Sequence, residues 1–353
     1  MIITVYSVVA IFLIPLAGYL SDHIGRKKVI IPSLIIAAIG GLISGWAAWK
    51  MNDGYWLILI GRSLQGVGAA GAAPIVLPLV GDMFKTDDEV SSTLGVIETS
   101  NTLGKVLSPI LGAFLAGFFW FAPFFAIPVF CTISIILMFL LVKTPNKNEK
   151  GVPVKQFFFN VKKIFTDNGR WLYAIFAIGM ILMFVLFAVL FFLSDILEKK
   201  YGITNLKKGL LLAAPLGTLC LSSYLTGKRI KENKVLMKWI TFGGILLLSV
   251  SIGMLSFSKQ LVFLIGMFSL SGIGIGVALP CMDALITEGI EKEERGTITS
   301  IYSSMRFIGV AAGPPVMAIL MEHAHNWIFY LLGGVSFVAA LIAFKEIKPD
   351  KEQ

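Results

Sequence analysis

Two charged residues and an amide fall within one long, largely uncharged stretch of this chain: Glu98, Asn101 and Lys105. Their spacing of three and four places a carboxylate, an amide and an amine on one face of a helix. Glu98 and Lys105 are seven residues apart, about two turns. Over ~10 Å of rise they are expected not to touch, leaving Asn101 or a bound compound to bridge them. Asp283 and Arg306 add one charge of each sign in the other half of the chain. Two chemistries fit. Glu98 or Asp283 could take and release protons, because burial favours the neutral acid and a nearby cation opposes it. A substrate that displaces the cation would then couple its own binding to proton uptake. Alternatively these charges form static pairs that lock helices together.

The elements that must carry these residues follow from composition. Apolar residues make up 56% of the 353 and charged residues 14%, with a mean hydropathy of +0.84. Soluble domains carry about a quarter charged residues, so the chain is read as an all-α integral membrane protein. Alternating runs of about ten residues, which a spanning barrel needs, are not seen. A hydrocarbon core of ~30 Å takes about 20 helical residues. Eleven segments meet that length: 1–20, 29–49, 56–84, 91–119, 122–142, 171–194, 206–226, 236–257, 260–287, 297–321 and 327–345. Met1–Leu20 reads as a span, since no basic leader or cleavage site accompanies it.

The net charge of +9 follows topology and implies no nucleic-acid partner. With the loops after spans 1, 3, 5, 7 and 9 and the C-terminal tail in the cytoplasm, 21 Lys and Arg lie on that side and 6 on the other. The remaining three, Arg62, Lys105 and Arg306, fall within spans. The positive-inside rule favours this orientation, with a cytoplasmic C-terminus. An arginine inside a span costs several kcal/mol unless it is paired or snorkels, and Arg62 is close enough to an outer end for either.

The chain also repeats itself weakly at an offset of 206. Gly66 and Gly68 fall on Gly272 and Gly274, Pro74 on Pro280, and Lys28-Val29 on Lys234-Val235. Such repeats mark transporters built from two related halves. The polar stretch Lys143–Arg170 divides an N-terminal lobe, 1–142, from a C-terminal lobe, 171–353. Within it Val154–Phe165 mixes Phe and Lys as an interfacial helix would, or as a basic tether. The 206 offset leaves the segment Trp171–Ser194 without a partner.

Other signals are weaker. Cys131, Cys220 and Cys281 lack metal or disulfide spacing and read as small buried residues. His323 and His325 make a His-x-His with no further ligand in view, short of the three or four that zinc requires. The Gly-x-Gly runs lie within spans and not after strands, so they are packing glycines. No Walker lysine motif is present, which argues against an ATP-driven pump. The Phe-rich stretches 118–125 and 184–192 read as lipid contacts or packing, with a few rings able to floor a cavity.

Three motifs carry a resemblance. Gly18-Tyr19-Leu20-Ser21-Asp22-His23-Ile24-Gly25-Arg26-Lys27-Lys28 resembles the loop between helices 2 and 3 of the major facilitator superfamily. Arg62-Ser63-Leu64-Gln65-Gly66-Val67-Gly68 is similar to that family's helix 4 motif. Gly95, Gly104, Ser108-Pro109 and Gly112 keep the spacing of its helix 5 antiporter motif, with Ser108 in place of a glycine. The chain is therefore identified as a member of the superfamily, resembling its drug:proton antiporter branch. The runs Ile2–Val9, Ala72–Val76 and Thr99–Pro109 resemble the Bacillus group of multidrug and bacillibactin-type exporters.

The resemblance implies two pseudo-symmetric helix bundles, with the eleven spans matching twelve minus the family's helix 1. It implies a conformational latch at Gly18, Asp22, Gly25 and Arg26, with Asp22 facing the N-terminus of the penultimate helix near Gly296-Thr297. Asp82 is expected to join Asp22 and Arg26. The resemblance implies Arg62 in proton transfer; by their own charge and placement, Glu98 and Asp283 are expected to join it in proton coupling, and Asn101, Lys105 and Arg306 to line the substrate cavity. In the antiporter motif, the small residues and proline are expected to bend the helix and admit a close neighbour. The expected activity is proton-coupled efflux of small amphiphilic compounds across the cell membrane by a monomer. The proton is the coupling ion, with no cofactor, no metal and no enzymatic step. An uptake symporter and a non-transporting or truncated membrane protein remain the alternatives.

Overall fold

The computed structural model describes residues 2–51, 53–84, 86–143, 166, 169–230, 233–290, 292–323 and 327–347. The segment 154–165 and His325 lie outside these. The described residues form helices without strands. In chain order they are α1 (Ile2–Ile24), α2 (Arg26–Lys50), α3 (Tyr55–Ala72), α4 (Val76–Met83), α5 (Asp87–Phe118) and α6 (Ala122–Leu141). The second half contributes α7 (Gly169–Lys199), α8 (Asn205–Ile230), α9 (Lys234–Met254), α10 (Leu261–Glu288), α11 (Lys292–His323) and α12 (Ile328–Glu346).

Each expected span has a helix, with two differences. The stretch expected as one span over 56–84 breaks at Ala73–Ile75 into α3 and α4. Pro74 has no N–H to donate there, and Val76 N reaches back only to Ala73 O, at 3.3 Å. Among the described residues, ten helices are long and apolar enough to cross a membrane, counting Tyr55–Met83 as one. The expected eleventh is α5. It has the length, at 32 residues, but Glu98, Asn101, Lys105 and its serines and threonines dilute its hydropathy. A helix this polar crosses only if a cavity or other helices shelter that face. It starts at an N-cap, Thr86, whose side chain accepts from Glu89 N at 3.3 Å.

The 206-residue repeat recurs in the packing. A Cβ on Gly66 would sit 2.5 Å from Tyr6 O of α1, and one on Gly272 would meet Pro215 O of α8. Gly68 is pressed against Ser33 and Ala37 of α2, and Gly274 against Gly244 and Leu248 of α9. Equivalent glycines thus seat α3 between α1 and α2, and α10 between α8 and α9. Small residues allow such approach where lipid supplies no hydrophobic drive between helices. The largest apolar core lies in the second bundle around Ile178, Leu182 and Leu193 of α7. Outward faces are apolar, and Trp49, Trp56, Trp120 and Trp327 are exposed together at one end, where an interfacial aromatic belt would lie.

The bundles meet along two seams, α5 with α8 and α1 with α11. On the first, Gly95 and Gly227 face each other, so that a Cβ on either would come within 2.7 Å of the other's Cα. Cys220 Sγ donates to Thr99 O further along, at 3.6 Å. On the second, Gly18 lies against Ser300, and Ser304 Oγ donates to Ile11 O at 3.3 Å.

Candidate functional site

Around Glu98, three hydroxyls of α5 bond to the helix backbone. Thr99, Ser100 and Thr102 donate to Gly95 O, Val96 O and Thr99 O at 2.6, 2.9 and 2.9 Å. Glu98, Asn101 and Lys105 remain for contacts beyond the helix. The structure brings these three together with Asp283 of α10 and Arg306 of α11. Arg306 donates from one nitrogen to Asp283 Oδ1 and Oδ2, at 3.1 and 3.4 Å, and from another to Glu98 Oε1 at 3.3 Å. Asn101 Nδ2 donates to the second Glu98 oxygen at 3.2 Å. Both carboxylates are buried, at 2% exposure for Glu98 and none for Asp283. One guanidinium therefore holds an acid from each bundle.

Lys105 corrects the sequence expectation that it cannot reach Glu98. Its Nζ stands 4.0 Å from Glu98 Oε1. The two-turn rise separates the backbones, but a four-carbon stem and a glutamate side chain reaching toward each other close most of it. The separation is that of an ion pair without a hydrogen bond. Tyr302 was not singled out from sequence, and it lies fully buried beneath the cluster, with the Arg306 guanidinium 5.6 Å from its ring centre. The available signal was its position four residues before Arg306, on the same helix face.

Beside the cluster a cavity of about 560 Å³ opens between α5, α7 and α8. Ser100, Asn101, Gly104, Lys105, Ser108 and Pro109 form its polar wall. Leucines and Phe187 from α7 and α8 form the apolar one. This changes the part played by the antiporter spacing. Gly95 does admit a close neighbour, Gly227 of the other bundle. Gly104 and Gly112 do not, since a Cβ at either would meet nothing within 4 Å. At Gly104 the missing side chain leaves cavity space instead.

Arg62 has a different setting. It donates to Gln65 Oε1 at 2.6 Å and lies over the Tyr6 ring at 5.2 Å, and that ring meets Phe307 of α11. It thus borders the α1–α11 seam. At the end of that seam Gly25 takes φ 100°, a left-handed backbone that suits glycine, and separates α1 from α2. Buried Arg26 then pairs with Asp22, bonds Asp82 Oδ2 at 2.8 Å and bonds Ser21 Oγ at 2.7 Å. Thr297 Oγ1 approaches Asp22 Oδ2 at 3.5 Å across the bundles. The expected helix-end contact differs in one respect. α11 begins at Lys292, so Gly296 and Thr297 lie beyond its first four N–H groups. Asp22 meets a hydroxyl and a close-packed glycine there. His323 Nδ1 donates back to Ile319 O at 3.2 Å, and no group of three metal-ligating side chains occurs among the described residues.

Two repeated helical bundles closing on a charged cavity are the plan of a secondary transporter. The chain belongs to the Major Facilitator Superfamily, whose pattern matches residues 1–309 and, in a second match, 233–353. It is a multi-pass membrane transporter of small molecules. It is 55% identical over 342 residues to the bacillibactin exporter of Bacillus subtilis, an alignment spanning 97% of this chain and 85% of that one. The multidrug efflux protein YfmO of the same organism is 27% identical, over 97% and 82% of the two chains. Among solved structures, the human organic anion transporter MFSD10 superposes with a TM-score of 0.82 at 20% identity, covering 97% of this chain and 82% of that one.

Proposed function

We propose that this chain is a proton-coupled exporter of small amphiphilic compounds working by alternating access in the cell membrane, as a monomer with its C-terminus in the cytoplasm. The observation that carries the reading is the sharing of Arg306 between Glu98 and Asp283. Glu98 lies on the first bundle and Arg306 on the second, so a proton on Glu98 weakens a bond between the halves. Arg306 keeps Asp283 as its partner, and the second bundle stays intact. Protonation thus loosens one bundle from the other without stranding a cation. The Asp22–Arg26–Asp82 group and Thr297 form the latch at the end of the other seam. Arg62, beside that seam, is the third residue assigned to proton movement.

Efflux is supported by the Gly95–Gly112 spacing and by relatives named as exporters and efflux proteins. One proton moving down 100 mV supplies about 2.3 kcal/mol, enough for a modest outward gradient. Everted vesicles test the reading with Glu98→Gln. The wild type should accumulate a transported dye when the lumen is acidified, whereas the variant should exchange dye across the membrane without accumulating it. Accumulation by Glu98→Gln at the wild-type level would remove Glu98 from coupling.

A further inference from the structure

The charged cluster satisfies its members unequally. Asp283 and Glu98 share Arg306, and Asn101 holds the second Glu98 oxygen. Lys105 Nζ is shielded from solvent and has no hydrogen-bond acceptor among the described residues, its nearest carboxylate oxygen being 4.0 Å away. Lys105 is part of the cavity wall, between the turns carrying Ser100 and Ser108, with its ammonium turned in behind that wall. Neither carboxylate lines the cavity. A cation entering there would find no open acid and would have to displace Arg306 to reach one. An anion would find Lys105 as the cation of the wall, its ammonium presented by a rotation of the flexible four-carbon stem. Facing Lys105, Leu186, Phe187 and Leu190 of α7 with Leu212 and Leu216 of α8 offer an apolar wall, in a volume typical of small-molecule sites.

We infer that the cavity selects amphiphilic anions, with a carboxylate or phenolate oxygen on Lys105 Nζ and an aromatic or aliphatic body against the α7–α8 wall. Lys105 is then the residue that sets charge preference. A donor shut away from water without an acceptor is costly, and a ligand oxygen removes that cost. A ligand cation would instead place a second positive charge beside the ammonium in a medium that screens poorly. The inference rests on the reading of this cavity as the transport site.

Two xanthene dyes of similar body and opposite charge test it: anionic fluorescein and cationic rhodamine 6G. Their binding to the purified protein in nanodiscs is measured by fluorescence polarisation at pH 7, with no gradient. Fluorescein is expected to bind at least about tenfold more tightly, about 1.4 kcal/mol. Lys105→Gln should abolish the difference by weakening fluorescein alone, and Lys105→Arg should preserve it. Equal or tighter binding of rhodamine 6G by the wild type would overturn the inference, as would failure of both dyes to bind. A preference that survives in Lys105→Gln would also overturn it. If Lys105→Gln does not fold, the wild type and Lys105→Arg still decide the matter. Because no gradient is applied, loss of proton coupling leaves this result untouched. Gradient-driven export restricted to cations would overturn the anion preference while leaving export standing.

Discussion

Replacing Arg306 by methionine keeps an unbranched apolar stem and removes the charge that two buried acids share. At 3.3 Å from Glu98 and 3.1 Å from Asp283, each attraction is about 5 kcal/mol at an effective dielectric of about 20. Much of that offsets the desolvation of the ions, so it is not the net effect. Removing one partner of a buried pair typically costs about 3–5 kcal/mol, because the other charge is left uncompensated. Arg306→Met is therefore expected to destabilise by about 3–5 kcal/mol, with one stranded carboxylate taking up a proton. Glu98→Gln leaves Arg306 its two bonds to Asp283 and a neutral acceptor, so its cost should be about 1–2 kcal/mol. In the Arg306→Met background Glu98 keeps Lys105 4.0 Å away, so Asp283 is the stranded acid, and Asp283→Asn, which is destabilising on its own, should there restore stability. Equilibrium unfolding in mixed detergent micelles, run as a double-mutant cycle, reads that change of sign. Additive effects, or an Arg306→Met loss below about 1 kcal/mol, would refute the shared-cation account.

Further outcomes follow from the glycines and the latch. Gly104→Leu should cut transport several-fold with little change in unfolding temperature, because the new side chain enters open cavity and not a neighbouring helix; equal loss of both would place a packing partner there. Gly18→Leu should collide with Ser300 and force α1 from α11, lowering stability by about 1–3 kcal/mol and slowing turnover; a melting temperature unchanged from wild type would count against that close crossing. Asp22→Asn keeps the shape beside Thr297 but weakens the pair with Arg26, so initial transport rates should fall while dye affinity holds. Unchanged rates would remove the latch role.

The helical architecture was legible because every span but α5 shows itself by length and apolar content, and the glycine pairs 66/272 and 68/274 carry the same inter-helix contacts in both halves. Side-chain reach was harder. Helical rise alone kept Lys105 from Glu98, whereas flexible stems brought their tips to 4.0 Å. The Glu98–Arg306 bond joins residues 208 apart on different bundles, a pairing that helical periodicity does not encode. Motif spacing marked Gly95, Gly104 and Gly112 alike, yet only the first meets a close-packed backbone, since that depends on which side of α5 faces α8. Tyr302 passed as one more aromatic in a span. Its position beneath Arg306 becomes visible only once Arg306 is recognised as the bridging cation.

In an exporter of this kind, proton and substrate move in opposite directions. Purified protein in liposomes enclosing a pH-sensitive dye, with a substrate gradient imposed across the membrane, measures this directly. Substrate flowing down its gradient should drive protons the other way, and Glu98→Gln should abolish that proton movement. Protons moving in the same direction as substrate, or no proton movement during measurable substrate flux, would contradict the account.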